Sequence, residues 1–253
     1  MDYYAKLLAD RARARENTFH NLGKVSEKVL SRTMPIRTTG GGAEVFMWPA
    51  QAIGKLRIID CGDSVIVTTD GISDPWDRDL HQQPPPYDFA FEAAVEVPKR
   101  RLPDSSDEGI ASSWVPTLLW AATDWMVAER FDLKSRLKHF GCMTLAVPPV
   151  PELESFVGQN GFMGALFGIP YVGDTLRAQL ILSMDDTVNA NDIWFLPFKI
   201  LTPDEYEWAM SVPDASNTMT LAEAFIQRGD RHLTWIERPS ILPDVPQARQ
   251  RQV

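Results

Sequence analysis

The side chains able to ligate a metal or pass a proton are few and scattered. His20, His81, His139 and His232 stand apart from one another and from Cys61 and Cys142, so none of the short ligand spacings of a zinc site is present. The run from Asp185 to Asp192 has the acidic density of a calcium loop. A register starting at Asp185 or Asp186 nevertheless lacks the glycine at position six and the glutamate at position twelve that such loops use. Gly40-Gly41-Gly42 is followed by no lysine or serine placed to hold phosphate and magnesium, and reads as a turn. The phosphate-loop, dinucleotide-binding, H-E-x-x-H and G-x-S-x-G patterns are all missing. No catalytic residue, metal or cofactor is assigned. An enzyme reading requires a site assembled in space from dispersed aspartates with His81 or His139.

The chemistry that the spacing does favour is recognition. Asp74-Pro75-Trp76-Asp77-Arg78-Asp79 sets three carboxylates around a tryptophan, and the Gly158 to Gly173 segment places Phe162, Phe167 and Tyr171 among glycines. Aromatic side chains dominate the energetics of protein interfaces, and carboxylates steer a basic partner. The candidate partner-binding residues are therefore Asp74, Trp76, Asp77, Asp79, Phe162, Phe167 and Tyr171. The alternative is that the acidic run is an ordinary Pro/Asp turn and that the glycine-rich loop buries its aromatics in its own domain.

Composition narrows the partner. With 34 acidic and 25 basic residues the formal charge is −9, which disfavours non-specific binding to nucleic acid or anionic lipid. No run approaches the about 20 apolar residues needed to cross a bilayer, and Met1 to Glu16 contains no signal-peptide stretch. A cytoplasmic protein with two reduced, strand-associated cysteines is expected.

The elements that must position these residues follow from periodicity. Apolar steps of three and four predict helix over residues 2 to 31, interrupted at Gly23, with Arg11, Arg13 and Arg15 on a solvated face. Strands are predicted at Lys55 to Asp60, Asp63 to Thr69, Phe89 to Val97, Cys142 to Val147, Leu176 to Met184 and Trp194 to Leu201. In the third, Glu92 and Glu96 alternate with apolar residues, so one face is expected to be partly wet. Trp114 to Phe131 reads as the central helix lying on the sheet. Thr202-Pro203-Asp204-Glu205 and Thr220-Leu221-Ala222-Glu223 each read as a capping box that starts a helix. Leu233 to Ile236 is expected to close the sheet. The expected core includes Trp114, Leu118, Trp125, Phe89, Phe91, Trp194 and Trp208. The whole is an α+β fold, a mixed and largely antiparallel sheet covered by helices. It divides into an N-terminal helical extension (1–42), a main domain (43–242) and a tail (243–253).

Four segments in order carry a resemblance. They are Val65 to Pro75 with its T-x-G-x-S-D turn, Phe89 to Pro98, Trp114 to Leu119 with Phe140 to Leu145, and Trp194 to Ala209 with its strand-to-capped-helix passage. Together they resemble the Suppressor of fused domain family over roughly residues 43 to 242, although His139-Phe140-Gly141-Cys142 departs from that family's usual pattern. The resemblance implies a noncatalytic domain that binds and masks another protein. Similar bacterial domains are inferred to be cytoplasmic immunity proteins that neutralise a cognate toxin. A housekeeping interaction scaffold and the dispersed-site enzyme are the alternatives.

Overall fold

A computed structural model of the chain describes residues 3–33, 53–74, 91–128, 133–169, 181–182, 193–212 and 214–245. Helix α1 (Tyr3–Leu22) ends at Gly23 and strand β1 (Lys24–Thr33) follows at once. The expected second helix is thus a strand, which pairs antiparallel with β2 (Ile53–Asp60) from Lys24↔Asp60 to Thr33↔Ile53. A bulge between Val25 and Val29 shifts the strand's alternation, so its apolar positions recur at helix-like steps. The N-terminal region is accordingly part of the main sheet and not a separate helical extension.

Strands β3 (Ser64–Thr69) and β4 (Phe91–Pro98) continue the sheet antiparallel, the pairing expected for β4 from its alternation. After α2 (Asp107–Ala111), α3 (Trp114–Ala128) and α4 (Leu133–Phe140) come β5 (Met143–Val147), β6 (Met163–Phe167), β7 (Ile181–Leu182) and β8 (Ile193–Leu201). The chain then forms α5 (Pro203–Met210) and α6 (Ser216–Arg228). The strand order is β1-β2-β3-β4-β8-β6-β5, with β7 pairing to β8; β4·β8 is parallel and the other strand pairs among the described residues are antiparallel. This is the mixed, largely antiparallel α+β sheet expected from the sequence.

Both faces of the sheet are covered. On one, Leu118, Leu119, Ala122 and Met126 of α3 pack against Val65, Val67, Phe91, Val95, Leu196 and Phe198. Each fully buried leucine there contributes about 1.5–3 kcal/mol. On the other, Phe19 and Leu22 of α1 cover Ile59, Ile66, Ala94 and Phe195, while α5 and α6 bring Tyr206, Leu221 and Phe225 over Leu166 and Leu201. The expected wet face of β4 therefore does not exist: all eight of its residues are buried, Glu92 and Glu96 included. Of the expected core, Trp114, Leu118, Phe91 and Trp194 are buried, Trp125 and Trp208 are half-buried, and Phe89 lies outside the described residues.

The turns show why α5 and α6 lie where they do. Thr202 caps α5 with Pro203 in its first turn, and Glu205 accepts the Thr202 N–H at 2.8 Å, as predicted. The second box fails. Helix α6 starts a turn earlier at Ser216, whose N–H is held by Asp214 at 2.9 Å, and Thr220 lies inside the helix, bonding its hydroxyl to the Ser216 carbonyl. Helix α5 crosses β6 so closely that a Cβ at Gly164 would stand 2.6–2.8 Å from the Tyr206 side chain.

Candidate functional site

The parallel pairing of β4 with β8 runs from Phe91↔Trp194 to Ala94↔Pro197 and ends where proline has no N–H to offer. Leu233 and Thr234 fill the fork beyond that point. Glu96 bridges to Leu233, the Thr234 N–H bonds the Glu96 carbonyl at 2.9 Å, and the Ile200 N–H bonds the Thr234 hydroxyl at 3.3 Å. The segment expected to close the sheet is thus a wedge inside it. Beside the wedge, where β4 leaves the sheet, opens a cleft of about 980 Å³.

Its walls are the β2–β3 turn, the end of β4 and the end of α6. Asp63, Ser64, Glu96, Lys99, Arg100, Asp230 and Arg231 line it. Glu96 is 3 % exposed, and its carboxylate accepts the Ser64 hydroxyl at 2.6 Å. Lys99 bonds Asp60 at 2.6 Å, and that lysine together with the Gly62 N–H holds the Asp60 carboxyl below its ordinary range. Arg228 pairs with Asp230 at the end of α6. Arg231 sits at φ 42°, a left-handed conformation uncommon for a residue with a Cβ, and its N–H reaches back to the Phe225 carbonyl at 3.1 Å.

Of the residues that the sequence nominated, the three described ones, Asp74, Phe162 and Phe167, are not brought together. Asp74 is buried rather than displayed: Arg15 of α1 grips it with two bonds of 2.6 and 3.2 Å. Phe167 is the last residue of β6, fully buried against Phe198 with ring centroids 5.0 Å apart, so part of the supposed loop is a core strand. Phe162 is half-buried on Trp125 of α3, across the sheet from Asp74. Trp76, Asp77, Asp79 and Tyr171 lie outside the described residues, as do Gly40 to Gly42, His81 and Asp185 to Asp192. His139 is exposed on α4, edge-on to Phe140.

Three buried charged groups were not legible as such. Arg11 and Arg15, expected on a solvated face, are 2 % and 4 % exposed. Arg15 bonds Asp70 at 2.8 Å as well as Asp74, and its Nε lies 3.6 Å from Glu92, while Arg11 donates to the Ser73 carbonyl. Glu92 in turn accepts the hydroxyls of Thr69 and Ser73 at 2.5 and 2.6 Å and the N–H groups of Gly71 and Ser73 at 3.1 Å. Burial pushes the Glu92 carboxyl up, against the pull of Arg15. Burial also opposes the charge on Arg15, but Glu92, Asp74 and Asp70 outweigh it and hold the guanidinium protonated.

A second pair, Arg238 and Glu205, is wholly enclosed. Glu205 also accepts the N–H groups of Thr202 and Ile241 at 2.8 and 2.6 Å, which ties the segment after α6 to the start of α5. The third group is Lys199, which donates to the Leu233 carbonyl with its Nζ 4.4 Å from the Phe225 ring centre and 5.5 Å from that of Trp235. Burial lowers its pKa well below the ordinary lysine range and drives that of His232 to about 3. Burial pushes the Cys142 thiol up to about 11, so it is a poor nucleophile.

The signal that could have found two of these groups is a charge inside an apolar run: Glu92 between Phe91 and Ala93, and Lys199 between Phe198 and Ile200. Among the described residues no three His, Cys, Asp or Glu side chains gather as metal ligands, and no helix is long and apolar enough to cross a membrane. No protein-family model matches the chain, and no curated protein matches it.

Proposed function

We propose that this chain is a noncatalytic protein-binding domain of the Suppressor of fused kind, acting in the cytoplasm as an immunity protein that binds and neutralises a bacterial toxin. One observation carries the reading: the residues behind the resemblance hold the fold together. Thr69, Gly71 and Ser73 of the T-x-G-x-S-D turn all bond Glu92, and Asp74 bonds Arg15. Thr202 and Glu205 of the strand-to-helix passage are joined to each other and, through Arg238, to the C-terminal segment. A signature spent on architecture leaves function to the surface, which suits a domain that acts by covering a partner. The charge of −9 supports a partner with a basic surface, as toxins that engage nucleic acid often have.

The test is co-purification of the tagged full chain with the product of the neighbouring gene, joined to a growth assay. The expected result is a complex that survives size exclusion, with growth restored when both are expressed. A neighbouring product that neither binds nor harms the cell would remove the toxin from the proposal.

A further inference from the structure

We infer that Asn160 and Gly161 form a self-modifying turn, in which the asparagine of the folded chain converts without an enzyme to aspartate and isoaspartate and thereby loosens helix α5. This chemistry needs no partner and stands apart from the function proposed above.

Of the chain's asparagines, Asn160 is the one followed by glycine. It sits near the tip of a tight hairpin between the short 3-10 segment and β6. An antiparallel bridge from Val157 to Met163 closes the hairpin, the Gly158 N–H bonds the Phe162 carbonyl at 2.8 Å, and the Gly161 N–H bonds the Gly158 carbonyl at 3.0 Å. Asn160 and Gly161 are both exposed, so water reaches them, and a Cβ built on Gly161 would meet nothing within 4 Å. Gly161 stands at φ 79°, which glycine adopts freely, and it carries no side chain to shield its own nitrogen. The Asn160 amide is held beside that nitrogen. Its Oδ1 accepts the Phe162 N–H at 3.1 Å, an Asx turn whose ring runs through the Gly161 peptide, while its Nδ2 donates to the Tyr206 hydroxyl at 3.0 Å. The Phe162 N–H draws electrons from the amide carbon and is placed to stabilise the charge that gathers on Oδ1 when that carbon is attacked.

The reaction is intramolecular, so proximity favours it. The Gly161 nitrogen gives up its proton to water or hydroxide and attacks Cγ of Asn160. The new N–Cγ bond forms, the Cγ–Nδ2 bond breaks, and Nδ2 leaves as ammonia with its own two protons and one returned by solvent. Water then opens the cyclic imide. Addition at Cγ restores the ordinary main chain with an aspartate, and addition at the Asn160 backbone carbonyl gives isoaspartate, whose main chain runs through the former side chain. Nothing is oxidised or reduced: one water is consumed and one ammonia is released.

The product alters what the turn holds. Tyr206 and Glu207 of α5 both bond it, Glu207 through the Gln159 N–H at 3.4 Å. An ionised carboxylate has no N–H to give the Tyr206 hydroxyl, and it adds a second negative charge to a turn already bonded to Glu207. Isoaspartate also lengthens the main chain by one methylene, which a hairpin closed two residues from its tip takes up only by giving up its bonds.

The test is to age the purified full chain in mildly alkaline and in mildly acidic buffer, follow it by peptide mapping and mass spectrometry, and melt each sample. The expected result is a gain of about one dalton at Asn160 in the alkaline sample, split between two peptides of equal mass, one of them labelled by an isoaspartyl methyltransferase. Asn17, Asn21 and Asn217, which precede threonine or leucine, should stay unchanged over the same time. The melting temperature should fall by about 2 °C or more as Asn160 converts, while Asn160→Ser, aged alongside, keeps its own. If Asn160→Ser does not fold, the acid-aged parent serves as the unconverted control. An Asn160 that stays intact in the folded chain while the urea-unfolded chain converts would overturn the inference, because the fold would then shield the turn. Full conversion without any fall in melting temperature would overturn the link to α5.

Discussion

Arg15 reaches Asp70, Asp74 and Glu92 from one guanidinium, so truncating it takes that cation from the buried Asp74 and Glu92, while Asp70 keeps Arg57 at 3.7 Å. Breaking a buried pair from one side costs about 3–5 kcal/mol, and Arg15→Ala should lose about that much in a denaturant melt. Arg13→Ala, two residues away and exposed, should change stability by less than about 0.5 kcal/mol. Equal losses from the two would mean that the Glu92 cluster is not what anchors α1. His232 gives a pH signature. The unfolded chain takes up a proton near pH 6.5, whereas the folded chain, burying the ring, refuses it until about pH 3. The stability that neutral His232 supplies is therefore complete above 6.5 and lost as pH falls towards 3. His232→Gln should lose less stability than the parent over that window, by a few kcal/mol at about 1.4 per pKa unit, with Glu92 common to both. Parallel pH profiles for the two would show that His232 is not buried neutral. None of these roles was readable one residue at a time. Arg15 is enclosed and Arg13 is not because Arg15 shares a helix face with Arg11, Phe19 and Leu22, a stripe that is read only when arginines are counted with the apolar residues.

Helix α5 rests on β6 at the one place where the strand has no side chain. Gly164→Ala should force the Tyr206 ring away and cost about 1–3 kcal/mol, measured by thermal melting. An unchanged melt would mean that α5 can lift without cost. Arg238→Ala should release the segment after α6, and its Ile241 amide, bonded to Glu205 at 2.6 Å, should exchange with solvent faster than amides in β8. Uniform exchange across both would deny that the ion pair holds the segment. At this scale much was legible. The strands β3 and β4, the apolar run of β8, the helix from Trp114 and the cap at Thr202 all follow from sequence because each satisfies its own local rule, although the alternation of β4 wrongly promised a wet face. Strands β1 and β6 were not, since a bulge disguised the period of one and flanking glycines made the other look like loop. The Leu233 wedge depends on where two distant strands part, which no local pattern records.

At the scale of the molecule, a sheet covered on both faces is stitched by enclosed ion pairs, and a charged cleft opens where β4 leaves it. The cleft escaped sequence reasoning because its walls come from the β2–β3 turn, the end of β4 and the end of α6, which lie far apart in the chain. Under the function proposed above, the domain works by occupying its partner, and occupation is stoichiometric. The decisive measurement is a titration of the proposed toxin's activity, once purified, against increasing amounts of the intact chain. The expected result is a linear fall that breaks at a fixed molar ratio and does not deepen with longer incubation. Progressive loss of toxin activity at a small fraction of that ratio would mean turnover, and would contradict the noncatalytic reading.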